Sequence, residues 1–277
     1  MQRIAQRTHD SFTVASSKAR CRAMRRRILE ISQRLSALHI APAFSCLEIV
    51  DIIYFGLMRR RPNGDSRDTF LLSKGHGAMA QYAVLEQLGI LRSEDLDACC
   101  QLGGRLGGHP DYGLPGIEAS TGSLGHALPM ALGITLANAQ SRFDSMTYVV
   151  MSDGELMEGS TWESVLLAPS IGARNIVVFI DLNDFISRGQ TSVHHPNIYP
   201  VEQKFHAFGW DATSVDGHDQ EALLRAAEAK DLGRPLAIIA KTVKGKGVSY
   251  MENEPIWHFR SPNPEEFKRA LAELEDE

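Results

Sequence analysis

The sequence predicts an α/β fold: a doubly wound, mostly parallel sheet with helices on both faces. Short apolar runs alternate with helix-length segments from residue 146 onward, which is the pattern of successive strand–helix–strand units. These runs are nearly continuous in apolar residues, as expected of strands that are covered on both faces. No repeat and no low-complexity linker interrupts the 277 residues. We therefore expect residues 1–277 to form a single domain.

The first 60 residues are predicted to add a helical layer to this sheet. Met24, Ile28, Ile31, Leu35 and Leu38 recur at helical spacing, which indicates an amphipathic helix with its arginines on the solvent face. The solvent face of this helix explains the basic character of residues 1–34 better than two alternatives do. These are an arm that binds nucleic acid or membrane, and a transit peptide. A second apolar-periodic segment, SCLEIVDIIYFGLM, ends at the polar turn RRRPNGDSRD.

The remaining elements follow in order. A short strand at Thr69–Leu72 leads through SKGHG to a helix from about Ala78 to Leu88, and the Gly- and Pro-rich residues 103–122 are predicted to be irregular. The later helices and strands are SLGHALPMALGITLANA, MTYVVMS, MEGSTWESVLLAPSIG, NIVVFIDL, EQKFHAFG, WDATSVD, QEALLRAAEAK, LAIIAKTV and an acidic C-terminal helix.

Composition narrows the class of protein. With 43% hydrophobic and 23% charged residues, a net charge of -5 and a pI near 6.1, the chain does not resemble a dedicated nucleic-acid binder, whose pI usually exceeds ~9. No uninterrupted apolar stretch approaches the ~18 residues of a membrane span, and the first residues lack an apolar signal core. A cytoplasmic protein is expected. The four cysteines form no C-x-x-C pair, which predicts reduced thiols and no zinc site.

Polar residues follow two successive predicted strands. Asp153 follows MTYVVMS and Asn183 follows NIVVFIDL, and ligands of open parallel sheets bind at the carboxyl ends of strands. A carboxylate and an amide oxygen suit Mg²⁺ or Ca²⁺, and Mg²⁺ commonly completes its coordination with phosphate oxygens. Gly154 lets the backbone approach such a group. The pattern indicates a metal that holds a phosphorylated cofactor, with an ordinary Asp-Gly turn as the alternative.

Four histidines lie in Gly- or Pro-containing loops around the same predicted edge. They are His39, His76, His109 and His258. Together they suit a polar substrate that needs hydrogen bonds and proton transfer near neutral pH, although a lone histidine is more often structural. The sequence contains no P-loop and no dinucleotide fingerprint. The KGKG segment suits either a diphosphate or a solvated turn.

An ordered set of motifs resembles the N-terminal half of transketolases over about residues 15–262. The motifs are SKGHG, GGHPD, STGSLGHAL, SDGELMEG, DLN, FGW followed by VDGHD, and KTVKGKGVSYME. The chain looks closest to the separately encoded N-terminal subunits of split transketolases. The Asp-Gly with a later Asn is similar to the thiamine diphosphate signature of that family.

The resemblance implies roles for individual residues. Mg²⁺ (or Ca²⁺) is expected on Asp153, Asn183 and the backbone carbonyl of Phe185. The residues expected to contact thiamine diphosphate are His76, Gly122, Ser123, Leu124, Asp153, Gly154, Glu155, Asn183 and His258. The four histidines are expected to be catalytic, lining the substrate channel. Glu158 and Glu163 match acids that meet the partner chain; both also suit a helix N-terminus without any function.

The implied activity needs a second chain. A C-terminal, pyrimidine-binding transketolase-like subunit is expected to supply the activating glutamate, in an α2β2 heterotetramer. Together the chains would transfer a two-carbon ketol unit from a ketose or its phosphate to an aldose, through a carbanion of thiamine diphosphate. This chain alone is expected to be inactive.

Three alternatives stay open from the sequence. ALHIAPAF around His39 and DFISRGQTSVHH after Asn183 depart from the family pattern, which suits an acyloin-forming carboligase that uses a 2-keto acid donor. A metal-dependent phosphohydrolase built on Asp153 and Asn183 predicts phosphate release without thiamine diphosphate. A non-catalytic subunit predicts that Asp153→Ala leaves the assembled complex active.

Overall fold

The computed structural model describes residues 12–59, 66–187, 189–231 and 233–276. Within them lie seven strands: β1 (Thr69–Leu72), β2 (Thr147–Ser152), β3 (Ile176–Leu182), β4 (Phe185–Ile186), β5 (Gly189–Gln190), β6 (Asp211–Asp216) and β7 (Leu236–Lys241). Five strands form one sheet in the order β1-β2-β3-β7-β6. Every neighbouring pair in it is parallel, whereas β4 and β5 form a separate antiparallel hairpin. The predicted α/β class is confirmed.

The helices of the described residues alternate with these strands. They are α1 (Val14–Ser32), α2 (Ile40–Asp51), α3 (Ala78–Gln87), α4 (Ser93–Asp97), α5 (Ala127–Gln140), α6 (Gly159–Ser170), α7 (Thr191–His194), α8 (Val201–Ala207), α9 (Gln220–Glu228) and α10 (Pro264–Asp276). A π-helix at Ile52–Leu57 continues α2, and short 3₁₀ helices lie at Gly75–Gly77, Asp153–Met157, Pro196–Ile198 and Pro255–Phe259.

Helices cover both faces of the sheet because successive strand residues point to opposite sides. In β3, Val177 and Phe179 join the core under α1, α2, α3, α9 and α10. Val178 and Ile180 join the core under α5, α6 and α8. Both sets are buried, which explains why this strand reads as a continuous apolar run.

The helical segment Ile40–Leu57 is the most apolar part of the first layer. Its length and its mean hydropathy of 1.7 would suit a membrane span, although Glu48 and Asp51 interrupt its apolar residues, and 83% of it is buried inside the protein. Its two acidic residues form ion pairs with arginines of α1: Glu48 with Arg25 at 2.6 Å and Asp51 with Arg20 at 2.7 Å. Burial against α3 and the sheet explains the composition of a core helix.

Two predicted boundaries differ from the structure. α1 ends at Ser32 because the next amides bond to carbonyls three residues back, although Leu38 is still buried. The helix expected from SLGHAL begins only at Ala127, after Gly122 and Gly125 adopt positive φ angles of 132° and 78°. Residues 1–11 and most of the turn RRRPNGDSRD lie outside the described residues, and the single-domain assignment stays a prediction.

Candidate active site

The carboxyl ends of four parallel strands open into one cavity of about 230 Å³. β1 leads into the Gly75–Gly77 turn, β2 into Asp153, β3 into Asn183 and β7 toward Lys244. The cavity is lined by Pro42, His76, Gly122, Leu124, Ser152, Asp153, Gly154, Asn183, Phe185, Ile186, Ser187, Lys244 and His258. The strand-end rule thus brings together most of the residues that the sequence singled out.

Asp153 is an almost fully buried carboxylate at the floor of this cavity, 1% exposed. One oxygen accepts a hydrogen bond from the Gly154 amide at 2.9 Å, and the other accepts one from the Thr191 hydroxyl at 3.0 Å. Burial, reinforced by the nearby Asp181, raises the pKa of Asp153 to about 7. A buried acid in this state gains from a bound cation, because the cation offsets the desolvation of the carboxylate.

Asn183 directly follows β3, Phe185 begins β4, and both line the cavity together with Asp153. The Asn183 side-chain oxygen accepts the Phe185 amide at 2.9 Å, and its side-chain nitrogen donates to the Ser45 hydroxyl at 2.9 Å. These two bonds orient the amide, so that its oxygen lies toward the loop. A positive φ of 64° at Asp184 turns the chain between the two residues.

The donor set fits a hard divalent cation shared with a phosphate group. One carboxylate, one amide oxygen and one backbone carbonyl are the oxygen ligands that Mg²⁺ and Ca²⁺ prefer. Within the described ranges, no group of three or more His, Cys, Asp or Glu side chains has the arrangement of a metal centre. A site with few protein ligands suits Mg²⁺, which takes further oxygens from phosphate and water.

Lys244 supplies a buried positive charge at the same edge, 1% exposed. Its ammonium contacts His258 Nδ1 at 2.9 Å and the Phe185 carbonyl at 3.5 Å. Burial and the nearby Lys74 lower the pKa of Lys244 to about 8. Sequence reasoning left KGKG undecided between a diphosphate contact and a solvated turn. The rule that placed Asp153 and Asn183 at strand ends applies equally to the loop after β7, which contains Lys244.

The four predicted histidines form one cluster, in which His76 and His258 line the cavity and His39 and His109 lie beside them. The His39 ring centroid lies 5.7 Å from that of His76, 5.9 Å from that of His109 and 5.4 Å from that of His258. Burial is the main cause that lowers the pKa of His39 to about 4 and of His258 to about 3, and it holds the pKa of His76 well below its ordinary value. These three imidazoles are neutral at pH 7, and each can donate one hydrogen bond and accept another.

A buried ion pair supports the floor of the cavity. Lys74 pairs with Asp181, and its ammonium also donates to the Pro42 carbonyl at 2.8 Å. Burial lowers the pKa of Lys74, but the attraction of Asp181 outweighs it and the net shift is upward. Asp181 also accepts a hydrogen bond from Ser45 at 2.6 Å. Because Ser45 accepts from the Asn183 side-chain nitrogen, the ion pair supports the orientation of the Asn183 amide.

Glycines and one buried acid shape the loop between residues 121 and 125. A Cβ on Gly75 would lie 2.6 Å from the Gly122 amide nitrogen, and a Cβ on Gly122 would lie 2.6 Å from the His109 ring. Glu155, which is fully buried, accepts hydrogen bonds from the Gly125 amide at 3.0 Å, the Ser152 amide at 2.9 Å and the Ser73 hydroxyl. Glu155 therefore joins this loop to the ends of β1 and β2.

Glu155→Gln is expected to lower the free energy of unfolding by about 1–3 kcal/mol, the usual effect of leaving a buried hydrogen-bonding group unpaired. All three partners of Glu155 donate, so the amide nitrogen of glutamine would face a donor. Urea unfolding would measure the change. The control Glu163→Gln removes an exposed charge from α6 and should change stability by less than ~0.5 kcal/mol. Equal effects of the two substitutions would contradict the structural role of Glu155.

The remaining predicted residues lie around the cavity without lining it. His39 and His109 lie beside it in the histidine cluster, and the Ser123 side chain is exposed. The Glu155 side chain is buried beneath the 121–125 loop. Glu158 precedes α6 beside Gly125, where an added Cβ would lie 2.6 Å from the Glu158 Cβ. The roles given to all these residues stay predictions.

Sequence reasoning missed the residues that hold the loop after β3. Thr191 reaches back to Asp153, while Asp184 accepts hydrogen bonds from the Ser192 amide at 2.7 Å and from the Tyr199 hydroxyl at 2.8 Å. No spacing pattern marks such contacts, because they depend on how the β4–β5 hairpin folds back.

Comparisons with known proteins identify the family. The family model described as "Transketolase, thiamine diphosphate binding domain" matches residues 17–269. The chain is 36% identical over 257 residues to an apulose-4-phosphate transketolase subunit of Phocaeicola vulgatus, covering 91% of each chain. It is 35% identical to a 6-deoxy-6-sulfo-D-fructose transketolase subunit of Clostridium sp. over 260 residues, 92% of this chain and 94% of that one.

Solved structures agree with this assignment. The fold matches transketolase from Leishmania mexicana with a TM-score of 0.87 and 29% identity, covering 95% of this chain and 42% of that one. The chain thus spans about two-fifths of the length of that enzyme, but nearly all of the Phocaeicola and Clostridium subunits. The ordered motifs, the strand-end cavity and these matches agree that the chain belongs to the transketolase family and carries its thiamine diphosphate-binding domain.

Proposed function

We propose that this chain acts with a partner subunit to transfer a two-carbon ketol unit from a ketose donor to an aldose acceptor. The observation that supports this proposal is the arrangement of polar and charged groups around the cavity. Asp153 and Asn183 at the ends of β2 and β3 line it together with the buried Lys244. Two histidines also line it, and His39 and His109 lie next to them. This arrangement suits a metal-bound diphosphate beside Asp153 and Asn183 and a polyhydroxylated substrate beside the histidines.

Thiamine diphosphate, when bound, supplies the chemistry that breaks and makes the carbon–carbon bond next to a carbonyl. Asp153, Asn183 and the Phe185 carbonyl would hold the divalent cation that neutralises its phosphates. Lys244 and His258 face the same space and would bind the phosphate oxygens. The 121–125 loop, held by Glu155, would pack against the rest of the cofactor without a side chain at Gly122.

The neutral histidines would act on the substrate. At pH 7, His39 and His258 each carry a single ring proton. His39 can donate to a carbonyl or hydroxyl oxygen while its other nitrogen accepts from a hydroxyl, whereas His258 accepts from Lys244 at Nδ1 and can donate through Nε2. The ring centroids of His39 and His258 are 5.4 Å apart, the separation of two rings in edge-to-face contact, so the two imidazoles border the same part of the site. They would position the sugar hydroxyls and hold a proton near the reacting carbonyl.

A partner chain is proposed to complete the site. Relatives that this chain covers almost entirely are named as transketolase subunits, and the larger Leishmania enzyme contains more than half of its length beyond the matched region. The adjacent helices α5 and α6 leave Met130, Leu166 and Leu167 exposed, at 36%, 57% and 48%. Apolar side chains grouped in this way indicate an interface. Glu158 lies beside the 121–125 loop, directly before α6.

The donor is proposed to be a ketose or ketose phosphate. Relatives are named for a sugar phosphate and for a sulfonated sugar, so the family accepts different groups at the end of the donor. A 2-keto acid donor, as in an acyloin-forming carboligase, is distinguished by its products.

Reconstitution tests this proposal. The chain and a C-terminal transketolase-like subunit would be purified separately, mixed with thiamine diphosphate and Mg²⁺, and assayed with ketose phosphates, a sulfonated ketose and pyruvate. We expect ketol transfer by the mixture and none by either chain alone, with a mass that fits an α2β2 assembly. Activity of the isolated chain, or carbon dioxide release from pyruvate as the main reaction, would refute the proposal.

A further inference from the structure

Two adjacent cysteines lie outside the active-site cavity, just after α4. Cys99 is 1% exposed and Cys100 is exposed, and their sulfur atoms are 3.7 Å apart. We propose that Cys99 and Cys100 form a dithiol site that captures a soft, thiol-seeking centre, specifically a trivalent arsenical, by binding it through both sulfurs. This inference does not depend on the proposed function.

The backbone brings the two thiols together. Neighbouring side chains do not face each other in a helix or a strand. Cys100 has a φ of 57°, a left-handed conformation that residues with a side chain rarely adopt. Its amide bonds to the Leu106 carbonyl at 2.8 Å, which fixes this turn. Such a strained position is a reason to look for a role.

The geometry favours a bridging atom over a direct disulfide. Adjacent Cα atoms are about 3.8 Å apart across a trans peptide bond, whereas disulfides usually need about 4.4–6.8 Å between the two Cα atoms. A disulfide would also have to bring the sulfurs from 3.7 Å to about 2.05 Å. One larger atom inserted between the sulfurs closes the pair without that strain.

The number of thiolate ligands at this site determines which kind of metal or metalloid it can bind. In the parts of the chain that the structure describes, no third His, Cys, Asp or Glu completes a metal-binding group around this pair. Structural zinc almost always needs four protein ligands, so it is a poor occupant. A monosubstituted arsenic(III) compound keeps its own organic group and needs only two thiolates, which are the soft ligands that it prefers.

The reaction is a balanced substitution without redox change. Phenylarsine oxide in water is the arsonous acid, which carries one phenyl and two hydroxyl groups on arsenic(III). Each thiol forms a sulfur–arsenic bond as one arsenic–oxygen bond breaks, and the two thiol protons leave with the two hydroxyls as two water molecules. Cys100 would react first because it is exposed. Cys99, whose pKa is raised by burial and by its neighbour, would close the ring.

Binding of the arsenical to Cys99 and Cys100 would affect the loop that carries His109. The Cys99 thiol donates to the Gly107 carbonyl at 3.6 Å, and this hydrogen bond is lost when the thiol proton leaves. Two residues further on, the His109 carbonyl accepts a hydrogen bond from Tyr82 at 2.8 Å, and the Pro110 carbonyl accepts one from the Thr121 amide at 3.1 Å. A change at Gly107 therefore lies directly beside contacts of the active-site loop.

Intact-mass measurement of the folded chain tests the capture. With phenylarsine oxide, the wild-type chain should retain a single phenylarsenic group that a dithiol such as 2,3-dimercaptopropanol removes and a monothiol does not. Cys100→Ser and Cys99→Ser should lose this adduct. The matched control Cys46→Ser removes a buried cysteine without a thiol neighbour and should keep it. Thermal unfolding would show that the exposed substitution Cys100→Ser leaves the chain folded.

Other outcomes would overturn the inference. An adduct that persists in folded Cys100→Ser, or no adduct on the wild-type chain, would exclude the dithiol site. If the cysteine pair bound zinc as tightly as it binds the arsenical, the argument that two thiolates are too few ligands for zinc would fail. Hydrogen exchange of residues 106–111 should change when the arsenical binds, and unchanged exchange would exclude the coupling to the His109 loop.

Discussion

Replacing Asp153 with asparagine is expected to weaken Mg²⁺-dependent binding of thiamine diphosphate by at least about 100-fold. Mutating a residue that only supports a metal ligand can lower metal affinity by up to about 100-fold, and Asp153 is expected to be a ligand itself. The amide keeps the shape of the side chain, and it can still accept from Gly154 and donate to Thr191. It lacks the negative charge that a divalent cation needs at this position. The loss would therefore be electrostatic.

The same substitution is expected to stabilise the chain in the absence of cofactor. The pKa of Asp153 is raised to about 7 in the fold, so the folded state prefers the neutral acid. As pH rises from the ordinary value of 3.8 through 7, the wild-type chain loses stability that the asparagine variant keeps. The difference should be near zero below pH ~4 and reach up to about 4 kcal/mol above pH 7.

Two measurements on one variant separate these effects. Calorimetry on the reconstituted complex reports cofactor affinity, and urea unfolding of the isolated chain at pH 4 and pH 8 reports stability. Asp216→Asn is the matched control, since it alters an exposed acid at the carboxyl end of β6 and should change neither quantity appreciably. Unchanged cofactor affinity in Asp153→Asn would exclude this residue as a metal ligand.

Lys74→Met is expected to destabilise the chain by about 3–5 kcal/mol, because it leaves the Asp181 carboxylate buried without its counter-charge. Both side chains are fully buried beneath the cavity floor. Methionine fills a similar volume, so the loss would come from the charge and from the hydrogen bond to Pro42. Urea unfolding would measure it.

A double substitution tests the cause of this loss. Lys74→Met with Asp181→Asn removes both charges and leaves an amide oxygen to accept from Ser45, so it should be more stable than Lys74→Met alone. Arg225→Met, which breaks an exposed pair with Glu221 on α9, should change stability by less than ~1 kcal/mol. Additive effects at Lys74 and Asp181 would contradict the ion-pair argument.

The sheet was predictable from the sequence because its strands are buried on both faces. The run from Ile176 to Leu182 contains six fully buried positions, and such runs stand out from any surface segment. Asp153 and Asn183 were predictable for the same reason, since a polar residue directly after a buried strand has few structural explanations. The histidine cluster was reached through the loop contexts of its members and the family resemblance.

The supporting contacts of the site were not predictable in this way. Glu155 was expected to contact thiamine diphosphate, yet its buried side chain accepts from the nearby Ser152 amide and from Gly125 and Ser73, which are distant in sequence. Lys74 and Lys244 carry no periodic signal, because a single buried lysine is defined by the partners that surround it. Hydrogen bonds of this kind depend on the exact approach of loops, which residue type and spacing do not encode.

The exposed apolar surface of α5 and α6 has a consequence for the supply of this chain in a cell. Without a covering subunit, Met130, Leu166 and Leu167 would remain available for non-specific association, and unassembled copies would be candidates for degradation or aggregation. Balanced synthesis of the two chains would then matter as much as the affinity between them. Producing both together is accordingly the route to abundant protein that this surface favours.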